Sequence, residues 1–271
     1  MNSELKVSII IPVYNEEKRI TRSLKRILNY CIEKEWNFEI IVAEDGSTDN
    51  TVKIAKEFQS TDERIKILSS QNRLGKGGAI KNAIFHASKE YVCFMDIDLS
   101  ADIAELERLI PFIKDYDIVI GSRLIRDDLP PIKGPVYRKI FSHFYSSFFR
   151  FVFHMPIHDP QCGFKLFIKN NVLSLFNEIH TTGFAFDTEV LVKAYWLDLT
   201  IKEVPIIWNY DNATKVSVFK QIRAMGNDLL SIWYEAHLLW LQNIPTYPQK
   251  KGSVKARILF SMLSLFKKPR E

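Results

Sequence analysis

Five short runs rich in β-branched residues alternate with segments of helical periodicity over the first 123 residues, and this alternation constrains the fold more than any other feature. "KVSIIIPVY" (6–14), "FEIIVAED" (38–45), "RIKILS" (64–69), "YVCFMD" (91–96) and "YDIVIGSR" (116–123) read as buried strands. Between the first two, Ile20, Leu24, Ile27 and Leu28 recur at helical spacing after Asn15, a candidate cap. Val52, Ala55 and Phe58 line a second helix after the turn "GSTDNT". Ala79, Ala83 and Ala87 mark a third helix entered from the glycine loop "NRLGKGG", and "ADIAELERLIPFI" reads as a fourth. A strand–helix alternation of this kind predicts an α/β fold, a mostly parallel sheet with helices on both faces.

Ligands of such sheets bind beyond the carboxyl ends of the strands. Those ends carry "PVYNE", "AEDGS", "MDIDLS" and "GSR". Asp96 and Asp98 lie two apart, a spacing that turns both carboxylates toward one small volume. Two like charges so close need a positive partner, and oxygen ligands suit a hard divalent cation, Mg²⁺ or Mn²⁺. As a lone pair they also read as acids capping the next helix. Glu44 and Asp45 end the second strand, where a carboxylate accepts hydrogen bonds from a base or a ribose, or simply caps a turn. Arg73, Lys76 and the glycines of "NRLGKGG" suit an anion, although the spacing is neither that of a P-loop nor of a dinucleotide fingerprint.

Composition narrows the class. The formal charge of +5 is too mild to imply nucleic acid, and no nucleic-acid motif occurs. The cysteines, Cys31, Cys93 and Cys162, are dispersed and odd in number, which points to a reducing compartment. No run of about 20 apolar residues suggests a membrane span, and the start lacks a signal-peptide layout, so Asn212 of "NAT" is expected to stay unglycosylated. "RKIFSHFYSSFFRFVF" (138–153) is strongly aromatic and carries Arg138, Lys139 and Arg150. Ile222, Met225, Leu229, Trp233 and Trp240 recur near helical spacing, and "VKARILFSMLSLFKK" is basic and amphipathic. The 222–240 stripe suits either packing on the domain or a membrane surface. The expected division is a catalytic domain over 1–220 and a basic, membrane-associating amphipathic tail over 221–271.

"SIIIPVYNEE", "EIIVAEDGSTDNT", "NRLGKGGAIKNA", "FMDIDLS", "GSR" and "DPQCGFKLF" occur in this order and together resemble the family 2 glycosyltransferases of the GT-A fold. With "FAFDTEVL" and "EVPIIWNYDNATKVSV", the chain resembles the dolichyl-phosphate glucose and mannose synthases, the glucosyl branch more than the mannosyl one. The resemblance runs from about residue 6 to about residue 230. It implies a Rossmann-like nucleotide-binding half in which Pro12, Tyr14, Glu16 and Asp45 hold the nucleoside, with Arg73 and Lys76 nearby. It implies that Asp96 contacts the ribose or the metal, that Asp98 binds the metal bridging the donor diphosphate, and that Arg123 and Arg138 bind the acceptor phosphate, with Lys215 in a supporting place. Ser100 stands where mannosyl relatives often carry Gln as a further metal contact, a departure from that pattern. Asp187 and Glu189 stand where many relatives place a base, although Asp187 also reads as a helix cap.

The implied activity is metal-dependent, inverting transfer of glucose from UDP-glucose to a polyprenyl (dolichyl) phosphate at the cytoplasmic face of a membrane, by a peripheral protein without a transmembrane helix. The alternatives are transfer of mannose from GDP-mannose or of another sugar from its UDP donor, and a non-catalytic nucleotide-sugar-binding protein that docks on membranes.

Overall fold

The structure, a computed structural model, describes residues 5–125, 129–130, 135–209 and 226–235. Lys215 and most of the expected tail lie outside the described residues. Strands β1 (Lys6–Val13), β2 (Asn37–Glu44), β3 (Ile65–Ser69), β4 (Tyr91–Met95), β5 (Ile118–Ser122), β6 (Phe164–Ile168) and β7 (Ile201–Pro205) form one sheet in the order β3-β2-β1-β4-β6-β5-β7. Helices α1 (Ile20–Glu33), α2 (Thr51–Thr61), α3 (Gly75–His86), α4 (Leu106–Leu109), α5 (Val136–Phe153), α6 (Lys169–Asn177), α7 (Phe186–Trp196) and α8 (226–235) cover it.

The central strands are apolar on both faces, and their period of two divides them between two cores. Val7, Ile9 and Ile11 of β1 and Ile40 and Val42 of β2 face Ile20, Leu24 and Ile27 of α1. Ile10 and Ile41 point the other way, to Ala79 and Ala83 of α3, Phe149 of α5, Phe176 of α6 and Phe186 of α7. Each fully buried Val, Leu, Ile or Phe among them is worth about 1.5–3 kcal/mol relative to exposure. Leu229 and Ile232 of α8 join this second core, so α8 packs on the domain through them, while Trp233, the other described member of the 222–240 stripe, is 39% exposed.

The alternating strands are present, with one difference of topology. β5 does not lie beside β4, because β6 runs antiparallel between them. Its reversed direction brings the residues before it, 159–163, to the edge formed by the carboxyl ends of β4 and β5. The strand order reverses between β1 and β4, the position at which open α/β sheets hold ligands.

Three local expectations are corrected. Asn15 does not cap α1, which begins at Ile20; it takes a left-handed conformation (φ 55°), and its Oδ1 accepts the Thr48 N–H at 2.8 Å, tying the ends of β1 and β2. The fourth helix is broken into the four-residue α4 between two 3-10 turns, Ile103–Glu105 and Ile110–Phe112. Pro111, which lacks an N–H, sits where the helix would continue. The glycines of "GKGG" start α3 and serve close packing. A Cβ on Gly77 would stand 2.6 Å from Phe186 Cβ, and one on Gly75 (φ +77°) 2.4 Å from the Thr182 carbonyl oxygen. The Gly77 N–H donates to that carbonyl at 2.9 Å. Backbone meets backbone here, and the first turn of α7 comes down onto the first turn of α3.

Glu39 fastens the opposite half of the sheet. Its Oε1 accepts from Ser8 Oγ of β1 (2.6 Å) and from Ser88 N and Oγ (2.5 and 2.9 Å), while Oε2 meets Lys66 Nζ of β3 at 2.6 Å. Burial alone would raise its pKa, but Lys66 and the serine donors outweigh it and lower the carboxyl to about 2.

Two predictions follow from this packing. Gly77→Ala, which on helix propensity alone would gain up to ~1 kcal/mol, is expected to lower the melting temperature, because Phe186 must move; a raised melting temperature contradicts the packing argument. Because the folded pKa of Glu39 is depressed, its stabilisation is complete above its ordinary range and is lost as pH falls toward about 2. Urea midpoints measured between about pH 5 and pH 2.5 should therefore fall more steeply for wild type than for Glu39→Gln. Parallel curves would show that Glu39 carries no such linkage.

Candidate active site

The carboxyl ends of β1, β2, β4 and β5 deliver the predicted polar clusters to one edge. On the β1–β2 side, Pro12 closes β1 opposite Ala43, and Tyr14 follows it. The guanidinium carbon of Arg73 lies 3.6 Å from the centre of the Tyr14 ring, a cation–π contact, and Arg73 Nε is 3.5 Å from Asp45 Oδ2. Asp45 Oδ1 accepts the N–H groups of Leu74 (2.5 Å) and Gly75 (3.2 Å). The loop entering α3 is thus folded around a carboxylate, with Arg73 lying over the aromatic ring. Glu16, in the turn before α1, pairs with Arg19 at 3.1 Å. Glu44 accepts from Ser47 N and Ser69 Oγ and holds the turn after β2.

At the end of β4 the environment is set by lysines. Lys76 Nζ lies 2.8 Å from Asp96 Oδ1 and 4.0 Å from Asp187 Oδ2. Burial disfavours the Lys76 ammonium, yet Asp96 and Asp187, with a further contribution from Asp98, raise its pKa well above the usual lysine range. Asp98 Oδ1 accepts the Ser100 N–H at 2.9 Å, so this acid both ends the strand region and pins its loop. Gly163 makes room for Asp96, since a Cβ there would stand 2.1 Å from Asp96 Oδ2. The loop is braced from below by Ser23 Oγ, which donates to the Ile97 carbonyl at 2.6 Å, and by Asn209 N, which donates to the Ser100 carbonyl at 2.7 Å.

Asp187, in the first turn of α7, makes no cap hydrogen bond to its helix. Its Oδ1 meets Lys165 Nζ at 2.5 Å, and the same ammonium donates to the Cys162 carbonyl at 2.5 Å. Glu189 accepts the N–H groups of His180 and Thr181 at 2.7–3.2 Å and pairs with Lys193 at 2.8 Å, so it organises the 180–186 loop.

Arg123, just past β5, is held on two sides. Its Nε and a terminal nitrogen each lie 2.7 Å from an Asp159 oxygen, its backbone N–H donates to Asp159 at 2.8 Å, and its guanidinium lies 4.9 Å from the centre of the Trp208 ring. Burial opposes its charge, and Asp159 nevertheless raises its pKa; Arg123 in turn depresses that of the buried Asp159. Glu203 of β7 accepts the N–H groups of His158 (2.8 Å) and Asp159 (2.7 Å), which fixes the loop bearing this ion pair. Arg138 belongs to α5, but its side chain lies outside the described residues.

The structure brings Lys76, Asp96 and Asp187 into one charged cluster, with Asp98 beside it, and sets Tyr14, Asp45 and Arg73 in another along the same helix entrance. Lys165, Asp159 and Glu203 were missed by the sequence reasoning. A signal for Lys165 exists: in "GFKLF" it shares a strand face with Phe167, a lysine on an apolar face.

Comparison with known proteins identifies the family. The family model "Glycosyl transferase family 2" matches residues 8–176. The dolichyl-phosphate beta-glucosyltransferase of Saccharomyces cerevisiae is 32% identical over 252 residues, covering 85% of this chain and 75% of that one. Glycosyltransferase AglD of Haloferax volcanii is 30% identical over 266 residues; the match covers 96% of this chain but 41% of that protein, so the chain spans less than half of AglD. Among solved structures, glucosyl-3-phosphoglycerate synthase from Mycobacterium tuberculosis, crystallised with Mn²⁺, uridine diphosphate and glucosyl-3-phosphoglycerate, matches with TM-score 0.62 over 86% of this chain and 80% of that one. At 16% identity that likeness establishes the shared fold. The chain belongs to glycosyl transferase family 2.

Proposed function

We propose that this protein transfers glucose from UDP-glucose to a polyprenyl phosphate, with inversion at the anomeric carbon, at the cytoplasmic face of a membrane. The observation that carries the reading is the charged cluster of Asp96, Asp98 and Lys76 at the switch point of a family 2 fold whose similar relatives include dolichyl-phosphate beta-glucosyltransferases. Tyr14 and Asp45, with Pro12 and Glu16 at the end of β1, would hold the nucleoside, and Arg73 would leave the Tyr14 ring or cover the base.

The residues fit a divalent cation, Mg²⁺ or Mn²⁺. The donors are carboxylate oxygens, and the Lys76 ammonium against Asp96 already stands where positive charge is required. Among the described residues no cluster of three or more His, Cys, Asp or Glu forms a complete cage. That suits Mg²⁺, which takes one or two carboxylates and completes its shell with phosphate and water. Asp96 and Asp98 would hold the ion, which when bound supplies charge neutralisation for the leaving diphosphate.

The chain's own groups account for the rest. An oxygen of the acceptor phosphate attacks the anomeric carbon, the bond to the diphosphate oxygen breaks, and its electron pair leaves with UDP. The attacking oxygen is already anionic near neutral pH, so steering matters more than deprotonation. Lys76 would stabilise the departing charge. Arg123, with Arg138, would orient the acceptor, although the pairing with Asp159 leaves Arg123 partly compensated in this state.

The lipid reading is supported by α5. Its inner face packs in the core through Tyr145 and Phe149, and Tyr145 Oη shares a 2.7 Å hydrogen bond with Thr188 Oγ1, next to Asp187. Its outer face exposes Tyr137, Ile140, Phe144, Phe148 and Phe151, with Phe144 and Phe151 about 70% exposed. Aromatic exposure on that scale suits a lipid surface and the lipid tail. No helix among the described residues is long and apolar enough to cross a membrane.

Purified protein with polyprenyl phosphate, Mn²⁺ and labelled UDP-glucose should move label into the organic phase. Asp98→Ala or EDTA should reduce the rate by about 100-fold or more, the scale of losing one strong electrostatic stabiliser. Phe144→Asp with Phe151→Asp should raise KM for the lipid and leave that for UDP-glucose unchanged. Label arriving only from GDP-mannose would replace the donor, and none from any nucleotide sugar would overturn the reading.

A further inference from the structure

Lys165 has no role in the reaction as described, yet it is fully buried in the middle of the sheet, on the strand that interrupts the parallel order. A lysine in such a place is costly unless it is paired and hydrogen-bonded. Its ammonium lies 2.5 Å from Asp187 Oδ1 and 2.5 Å from the Cys162 carbonyl, with the Phe94 ring centre at 5.2 Å. Asp187 is itself only 4% exposed, and its second oxygen is turned to Lys76, 4.0 Å away. Lys76 then reaches Asp96 at 2.8 Å. A line of alternating charge, Lys165–Asp187–Lys76–Asp96, thus rises from β6 through α7 and α3 to the end of β4.

We propose that Lys165 is a positioning residue: it anchors Asp187, and Asp187 holds the Lys76 ammonium at the place of the donor diphosphate, so that Asp187 is a strut for Lys76 and not a general base. This rests on the donor reading given above. Three features of the site favour a strut over a base. Asp187 is closed off by Lys165 on one oxygen. Its other oxygen faces a cation rather than open space. The glycines at 75 and 77, by admitting Thr182 and Phe186, bring the first turn of α7 close enough for Asp187 to approach Lys76.

The experiment compares wild type with Lys165→Met, Asp187→Asn and the double variant, by calorimetric UDP binding with Mn²⁺ and by steady-state kinetics. Lys165→Met and Asp187→Asn should each weaken UDP roughly tenfold and raise KM for the donor, with KM for the lipid phosphate unmoved. kcat of Asp187→Asn should fall by less than about tenfold, where loss of a general base costs on the order of 10²–10⁴. Lys165→Met should add less than about twofold in the Asp187→Asn background, since two residues acting through one contact are not additive. Wild-type UDP affinity in Lys165→Met would overturn the inference. So would an Asp187→Asn enzyme that keeps its donor KM and loses kcat by a thousandfold. Should Lys165→Met fail to fold around an unpaired carboxylate, the comparison of the double variant with Asp187→Asn decides: equal UDP affinities support the strut, and a further loss in the double variant contradicts it. A wild-type protein that binds no UDP would instead overturn the donor reading itself.

Discussion

The constraint on which this structure depends is the crowding of carboxylates at one end of a buried sheet. Asp96, Asp98 and Asp187 gather near one ammonium, and Asp159 lies a strand away. In a partly desolvated place such charges repel, and the fold balances them with cations drawn from separate elements: Lys76 from α3, Lys165 from β6 and Arg123 from the end of β5. On the function proposed above, a doubly charged donor and a hard cation would enter this site together, and Lys76 would exchange a carboxylate for a phosphate.

The antiparallel β6 makes this balance possible. A purely parallel sheet would bring only strand carboxyl ends to the edge. Because β6 is reversed, its preceding loop arrives there too, with Asp159 for Arg123 and with Gly163 close against Asp96. β7 then adds Glu203, which fixes the same loop. The glycines entering α3 complete the arrangement by letting α7 approach.

Much of the first half was legible because its strands are buried on both faces. Ile9, Ile10, Ile11, Ile40 and Ile41 leave no reading other than an interior strand, and the acids at the strand ends follow from the polarity switch. β6 and β7 were harder: "GFKLF" and "IKEVP" are short and charged, and nothing local states that a strand runs backwards between two parallel ones. The packing role of "GKGG" was hidden for a similar reason. Glycine in a basic loop suits an anion, and nothing local shows that Gly75 and Gly77 also pack against Thr182 and Phe186, more than a hundred residues later. The Asn15 cap failed because the side chain found Thr48 on the neighbouring strand end. The aromatic run of 138–153 was legible as a surface of interest, while its division into an inner and an outer face needed the helix in place.

The most direct measurement is a crystal structure of the protein with UDP and Mn²⁺, read by the anomalous signal of the metal. The account predicts manganese against Asp96 and Asp98, with Lys76 Nζ moved from Asp96 onto the diphosphate and Lys165 still paired with Asp187. Manganese or nucleotide bound elsewhere, with the Lys76–Asp96 pair intact, would contradict it.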